Sequence, residues 1–227
     1  MSDRSVALMT SDRTASDSQA ERRRAELEAN MARAAAAPHL KQDCCLQPGE
    51  DLWVFGYGSL MWNPGIPHVE TRVGTLHGFH RRFCIWSSRY RGTVERPGLV
   101  LGLDRGGCCR GLLFRVPAGE VETALDYLHQ REMMTRVYRP ERRRVESPQG
   151  PVTALCFIVD RRHSQYTGRL TAEQTAAIIA DAAGQRGPCA DYLANTVQHL
   201  EALGVGAGSL KQLLRLVRRR CQDARGA

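Results

Sequence analysis

The chain has 227 residues, 42% of them hydrophobic, and a formal net charge of +8. That length suits one domain, with enough apolar residues for a sizeable core. No apolar run approaches the roughly 18 residues of a membrane span, and only 6% of residues are aromatic.

The basicity is almost entirely arginine, since Lys41 and Lys211 are the only lysines. Its densest runs, Arg22 to Arg24, Arg142 to Arg144 and Arg218 to Arg220, belong to no recognisable nucleic-acid module. Nucleic acid and membrane are therefore not expected partners, whereas a positive field suits an anionic peptide. Eight cysteines are present, and no Cys-x-x-Cys pair has zinc spacing. Cys44–Cys45 and Cys108–Cys109 are sequence neighbours, while Cys84 and Cys156 fall in strand-like runs as apolar fillers. With no signal-peptide pattern before Ser11, a reducing cytoplasm is the expected setting. No cofactor or metal is expected.

Residues 1–49 read as an N-terminal extension, flexible or a peripheral helix. Glu21 to Ala37 is rich in Ala, Glu and Arg and favours helix, which Pro38 stops. Packing of this helix against the body is the alternative. Residues 50–221 form the main domain and 222–227 a tail.

The main domain opens with a strand over Trp53 to Tyr57 that runs into Gly56-Tyr57-Gly58-Ser59. Glycines there allow a positive φ or a very close ligand. Bare backbone N–H groups beside the Ser59 hydroxyl suit an anion or a developing oxyanion; an ordinary tight turn is the other reading. Val73 to Leu76 and Phe83 to Trp86 read as strands separated by Gly78. Leu99 to Leu103 and Leu112 to Val116 read as strands joined by Gly106-Gly107.

A helix is predicted over Pro117 to Arg131, because Val121, Ala124, Leu125 and Leu128 fall on one stripe. Glu132, four residues after Leu128, continues that stripe. A carboxylate turned inward at a helix C-terminus has its charged form disfavoured by the dipole and by burial. Its pKa rises toward the range of a general acid/base. A salt bridge to Arg131 or Arg136 is the competing reading.

Arg142 to Glu146 and Val152 to Val159 are predicted as a hairpin around Ser147-Pro148-Gln149-Gly150, with the second strand buried on both faces. Thr171 and Gln174 make a capping box, and Gly184 is expected to end that helix. Pro188 to Leu203 is the next helix, closed by Gly204. Ser209 and Gln212 repeat the box, ahead of a stripe of Leu210, Leu213, Leu214 and Val217. Strands first and helices late indicate an α+β fold.

Val54-Phe55-Gly56-Tyr57-Gly58-Ser59-Leu60, followed by Met61-Trp62-Asn63-Pro64, resembles the opening of the ChaC family of γ-glutamylcyclotransferases. Further matching segments follow in order: Gly74 with Gly78 and Arg82-Phe83, Arg91-Gly92 with Pro97-Gly98, and Gly111 through Pro117. Arg131-Glu132-Met133 with Tyr138 and Pro140 comes next. Asp160 to His163, Gly187-Pro188 and Tyr192-Leu193 complete the set. The resemblance spans roughly Leu52 to Arg220, and implies the cyclotransferase-like fold, a small mixed β-barrel flanked by helices. It implies glutathione as substrate, with 5-oxoproline and cysteinylglycine as products. It places the catalytic role on Glu132 and the substrate loop on Val54, Phe55, Gly56, Tyr57, Gly58 and Ser59, with Leu60 adjoining. Tyr138 matches a family tyrosine and is expected in the pocket wall, or else as a core tyrosine with its hydroxyl satisfied.

Three departures stand out. Arg136 occupies a position where the family usually has Gly, Leu99 one where it has Arg, and the segment from Pro188 to Tyr192 is short. Arg91 and Arg136 are the candidates to replace the missing pocket arginine.

One carboxylate and a nest of donors suffice for an intramolecular aminolysis. The α-amine of a γ-glutamyl group attacks its own side-chain carbonyl and closes a five-membered lactam, with proximity supplying much of the rate. The carboxylate takes a proton from the amine and returns one to the leaving nitrogen. Two alternatives remain open: another γ-glutamyl compound as substrate, or a non-enzymatic regulator of cation transport. Oligomeric state is not legible.

Overall fold

The computed structural model describes residues 3–44 and 46–226. It opens with helix α1 (Asp3–Ala35), longer than the composition suggested and ending one turn before Pro38. A short helix α2 (Leu40–Cys44) follows, with Leu40 and Cys44 inside the main core. Cys45 lies outside the described residues.

Strand β1 (Leu52–Gly56) sits inside a five-stranded sheet. Leu52, Val54 and Phe55 are buried, as expected of an apolar strand with neighbours on both sides. It pairs antiparallel with β3 (Gly98–Val116) and parallel with β5 (Val152–Val159). The remaining strands are β2 (Glu70–Ser87) on β3 and β4 (Tyr138–Val145) on β5, giving the order β2-β3-β1-β5-β4. The sheet curls, and paired backbone bonds between Thr75 and Glu146, at 2.8 and 3.0 Å, join the β2 side to the end of β4. Leu103 of β3 also bridges Ile158 of β5.

The four short strands expected before the central helix are two long ones. Gly78 and Gly106-Gly107 do not end strands. They face each other across the β2–β3 ladder, where the register shifts between His77 and Phe79, and all three have positive φ. A bulge at that point bends the ribbon without breaking it.

Helix α3 (Val121–Glu132) follows a single 3₁₀ turn over Ala118–Glu120. Its stripe of Ala124, Leu125 and Leu128 is buried. Helix α4 (Ala172–Asp181) carries the expected capping box: Thr171 Oγ1 accepts from the Gln174 N–H at 3.1 Å, and Gln174 Oε1 accepts from the Thr171 N–H at 2.9 Å. Gly184 does not cap this helix, which ends three residues earlier. It lies instead in a two-residue strand, β6 (Ala183–Gly184), paired with β7 (Gly187–Pro188). A Cβ at Gly184 would meet the Gly92 nitrogen at 2.5 Å, so this glycine permits close backbone approach. Helices α5 (Cys189–Ala202) and α6 (Ser209–Gly226) complete the fold. Leu210, Leu213, Leu214 and Val217 of α6 are buried, as their spacing predicts. The architecture is α+β, a curled mixed sheet flanked by helices.

Candidate active site

Four elements converge at one end of the curled sheet. Strand β1 ends there in the loop from Tyr57 to Ser59. Helix α3 ends there in Glu132. Strand β4 begins there with Tyr138, and α5 contributes Tyr192 from its first turn. Together with Leu101 of β3 they enclose a chamber of about 40 Å³. It adjoins a wider cleft of about 240 Å³, which shares Ser59, Leu101, Glu132, Tyr138 and Tyr192 with it.

Glu132 sits where the helical stripe carried it, with its side chain only 16% exposed. Burial raises its pKa above the ordinary carboxylate value, and the adjacent Arg131 charge and hydrogen bond offset only part of that. The two sequence readings of Glu132 thus coexist: it is paired with Arg131, with Nε to Oε1 at 3.0 Å, and it also faces the cavity. Arg131 has further work. Its guanidinium donates to Ser59 Oγ at 3.0 Å, Asn63 O at 2.6 Å and Tyr127 Oη at 3.1 Å. One side chain therefore couples the end of α3 to the glycine loop.

Neither Gly56 nor Gly58 has a positive φ, so the loop's glycines serve by small size rather than by left-handed backbone. A Cβ on Gly58 would lie 3.6 Å from Leu101 and 4.0 Å from the Tyr192 hydroxyl, without a clash. It would occupy chamber space. Gly58 O accepts from Met61 N–H at 2.8 Å and Ser59 O from Asn63 N–H at 2.9 Å, which fixes the loop into a 3₁₀ turn. Among the described residues no protein acceptor takes the N–H of Gly58 or Ser59.

Val54 and Phe55 are core residues of β1, and Leu60 is buried at the chamber edge. Tyr57 is buried and donates its hydroxyl to Phe157 O at 3.1 Å. Tyr138 combines both roles considered for it: it lines the cavity and its hydroxyl donates to Leu101 O at 2.9 Å. Burial drives the pKa values of Tyr57, Tyr138 and Tyr192 upward, which keeps all three hydroxyls neutral beside Glu132.

Arg136 lines neither the chamber nor the cleft. It has φ of 55°, the left-handed conformation that explains a glycine preference at this position, and it reaches away to Pro38 O and Asp43. Arg91 does line the cleft, 4.9 Å over the Tyr192 ring, and donates to Arg186 O at 2.6 Å. Leu99 is fully buried. Sequence reasoning did not single out Tyr192 or Arg131 as site residues. For Tyr192 a signal existed, three residues after buried Cys189 and four before buried Thr196 on the inner face of α5. Among the described residues no group of three His, Cys, Asp or Glu side chains gathers as a metal site.

A family profile described as ChaC-like protein matches residues 52–220. A glutathione-specific γ-glutamylcyclotransferase of Escherichia coli strain K12 is 38% identical over 196 residues, covering 86% of this chain and 80% of its own. The human glutathione-specific γ-glutamylcyclotransferase 1 is 32% identical over 158 residues, covering 67% and 71%. Among solved structures, a yeast γ-glutamyl cyclotransferase specific to glutathione superposes with a TM-score of 0.67 at 22% identity. That match covers 76% of this chain and 100% of the yeast one, and it shows the shared fold.

Proposed function

The chain belongs to the ChaC-like protein family, and from that membership we propose that it is a γ-glutamylcyclotransferase that cleaves glutathione to 5-oxoproline and cysteinylglycine. The observation that carries the reaction is the position of Glu132, a shielded carboxylate facing the glycine loop across a small chamber.

In this reading the γ-glutamyl group lies in the chamber. Its α-amine attacks the γ-carbonyl carbon, and a C–N bond forms as the carbonyl becomes an oxyanion. The N–H groups of Gly58 and Ser59 are the donors for that oxyanion. Glu132 takes a proton from the amine and delivers it to the cysteinyl nitrogen, whose bond to the γ-carbon then breaks. Arg131 holds the carboxylate in place and favours its ionised form, the form a base needs. The neutral tyrosines wall the chamber from water, which favours ring closure over hydrolysis.

A small peptide is the partner in this proposal, and nucleic acid is not. The arginines of β4 support that, since Arg139 and Arg143 pair with Glu141, Arg142 with Glu50 and Arg144 with Glu146. No described helix is long and apolar enough to cross a membrane. A cytoplasmic setting belongs to the same proposal, supported by the free thiols of Cys84, Cys108, Cys109, Cys156, Cys189 and Cys221. Incubation with glutathione, assayed for 5-oxoproline and cysteinylglycine, tests the function. Release of glutamate instead of 5-oxoproline would overturn it.

A further inference from the structure

Helix α1 plays no part in placing Glu132 or the glycine loop, yet it reaches the cleft. Leu27 and Met31, one turn apart, line the same 240 Å³ cavity as Glu132. They share a stripe with Arg23, Asn30 and Ala34, and this stripe faces the body. Asn30 and Ala34 are buried. Asn30 Nδ2 donates to Ser164 Oγ at 3.0 Å, and the Arg23 guanidinium donates to Val94 O at 3.4 Å. Glu132 lies at the inner end of the cleft, where it meets the chamber, and α1 covers the outer part.

A second observation lies in that outer part. Gln165 lines the cavity, and its Nε2 donates to Trp86 O at 3.2 Å. Its Oε1 is buried with no hydrogen-bond partner. Turning the amide over would set an acceptor against the Trp86 carbonyl, so that bond determines the orientation. A covered acceptor left unpaired is costly, so a donor brought to it, from a ligand that shifts the side chain or from water, binds favourably.

We propose that the outer cleft is the subsite for the leaving half of the substrate, with Leu27 and Met31 as its apolar wall and Gln165 as its hydrogen-bond acceptor. The inference rests on the γ-glutamylcyclotransferase reading above. With the γ-glutamyl group against Glu132, the departing dipeptide extends outward along the cleft. Its cysteinyl side chain packs on Leu27 and Met31, and its peptide N–H donates to Gln165 Oε1. Helix α1 is then a specificity element, because a γ-glutamyl amide of a small amine reaches Glu132 without touching it.

The test uses the full chain, as wild type and as the variants L27A/M31A and Q165L. Glutathione is compared with γ-glutamylmethylamide as substrate, and cysteinylglycine with 5-oxoproline as product inhibitor. Leu27 and Met31 are only partly buried and sit on a helix that does not place Glu132, so their truncation spares the site. In L27A/M31A the KM for glutathione and the inhibition constant of cysteinylglycine should rise roughly tenfold, the scale of lost apolar contacts in a pocket. The kcat for glutathione, turnover of the methylamide and inhibition by 5-oxoproline should not change. Q165L should show the same split. Unchanged glutathione KM in both variants overturns the inference. So does an equal loss on both substrates, which assigns α1 a purely structural role. Wild-type protein that leaves glutathione intact overturns the proposed function, and the inference with it.

Discussion

Arg131 and Glu132, neighbours in sequence, form an ion pair with Nε 3.0 Å from Oε1 at the end of α3. The pairing has two consequences. It tempers the rise in the Glu132 pKa caused by burial, and through Ser59 Oγ it links the carboxylate to the glycine loop. In the proposed mechanism Glu132 both takes and gives a proton, and such a group works best with a pKa near the working pH, which burial raises and a cation limits.

Replacing Glu132 by Gln should lower glutathione turnover at least ~100-fold, the usual contribution of a positioned acid/base. Glutathione binding should change far less. Because folding raises this pKa, ionised Glu132 destabilises the fold above its raised pKa, and the effect vanishes as pH falls below the ordinary carboxylate range. The variant should therefore melt at the same or a higher temperature at neutral pH, and match wild type in acid. Arg131 keeps Ser59, Asn63 O and Tyr127 as partners, so it is not stranded. A stable variant with wild-type turnover would remove Glu132 from the mechanism.

Arg131→Met should move the acid limb of the kcat/KM profile to higher pH. The proposed mechanism needs the base form of Glu132, and without the cation its pKa rises further. The loop contacts also go, so KM should rise. A pH profile superimposable on wild type would show that Arg131 does not tune Glu132.

Gly58→Ala tests the chamber without disturbing the fold. The added carbon fits against Leu101 at 3.6 Å but occupies the chamber space in which the proposed mechanism seats the γ-glutamyl group. Unfolding by denaturant should be nearly unchanged while glutathione turnover falls by an order of magnitude or more. Full activity would reduce the loop to a turn.

Arg136→Gly should leave kcat and KM unchanged, because Arg136 lies outside the cleft. Relief of its left-handed backbone, worth about 1 kcal/mol, opposes loss of the contacts to Pro38 O and Asp43. Equilibrium unfolding should shift little. A rise in KM would restore Arg136 as a substrate ligand.

Asp104→Ala should destabilise the fold, by up to about 3 kcal/mol, the lower end for a broken buried pair since both arginine partners reach solvent. Asp104 is fully buried and accepts from Arg82 at 3.2 Å, Arg161 at 2.6 Å and Tyr166 at 3.0 Å. Burial, the largest single influence on it, raises its pKa. The Arg161 hydrogen bond, the Arg105 N–H and Tyr166 outweigh that and lower it. Its stabilisation is therefore present above the ordinary carboxylate pKa and lost as pH falls through the depressed one. Acid unfolding of wild type and variant should converge at low pH. A constant difference at all pH values would contradict the assigned network.

Local chemistry was legible in the chain. The stripe of Val121, Ala124, Leu125 and Leu128 placed Glu132 on an inward face, because helical period alone sets which side chains share a side. The apolar run of β1 and the capping box of Thr171 and Gln174 were legible for the same local reason. Gly78 and Gly106-Gly107 misled, because a glycine pair that bends a ribbon has the same composition as one that ends a strand. The difference lies in the ladder partner, some thirty residues away. The partners of Glu132 were likewise a tertiary matter. Tyr192, Leu101 and the glycine loop meet it only because β1 lies between β3 and β5 and α5 folds back over the curled sheet. The approach of α1 to the cleft through Leu27 and Met31 was equally hidden, since helix propensity says nothing about what a helix covers. Sequence determined the kind of groups available and the side of each element they occupy. Only the closure of the sheet decided which of them share one small, shielded volume, and that shielding is what moves the Glu132 pKa.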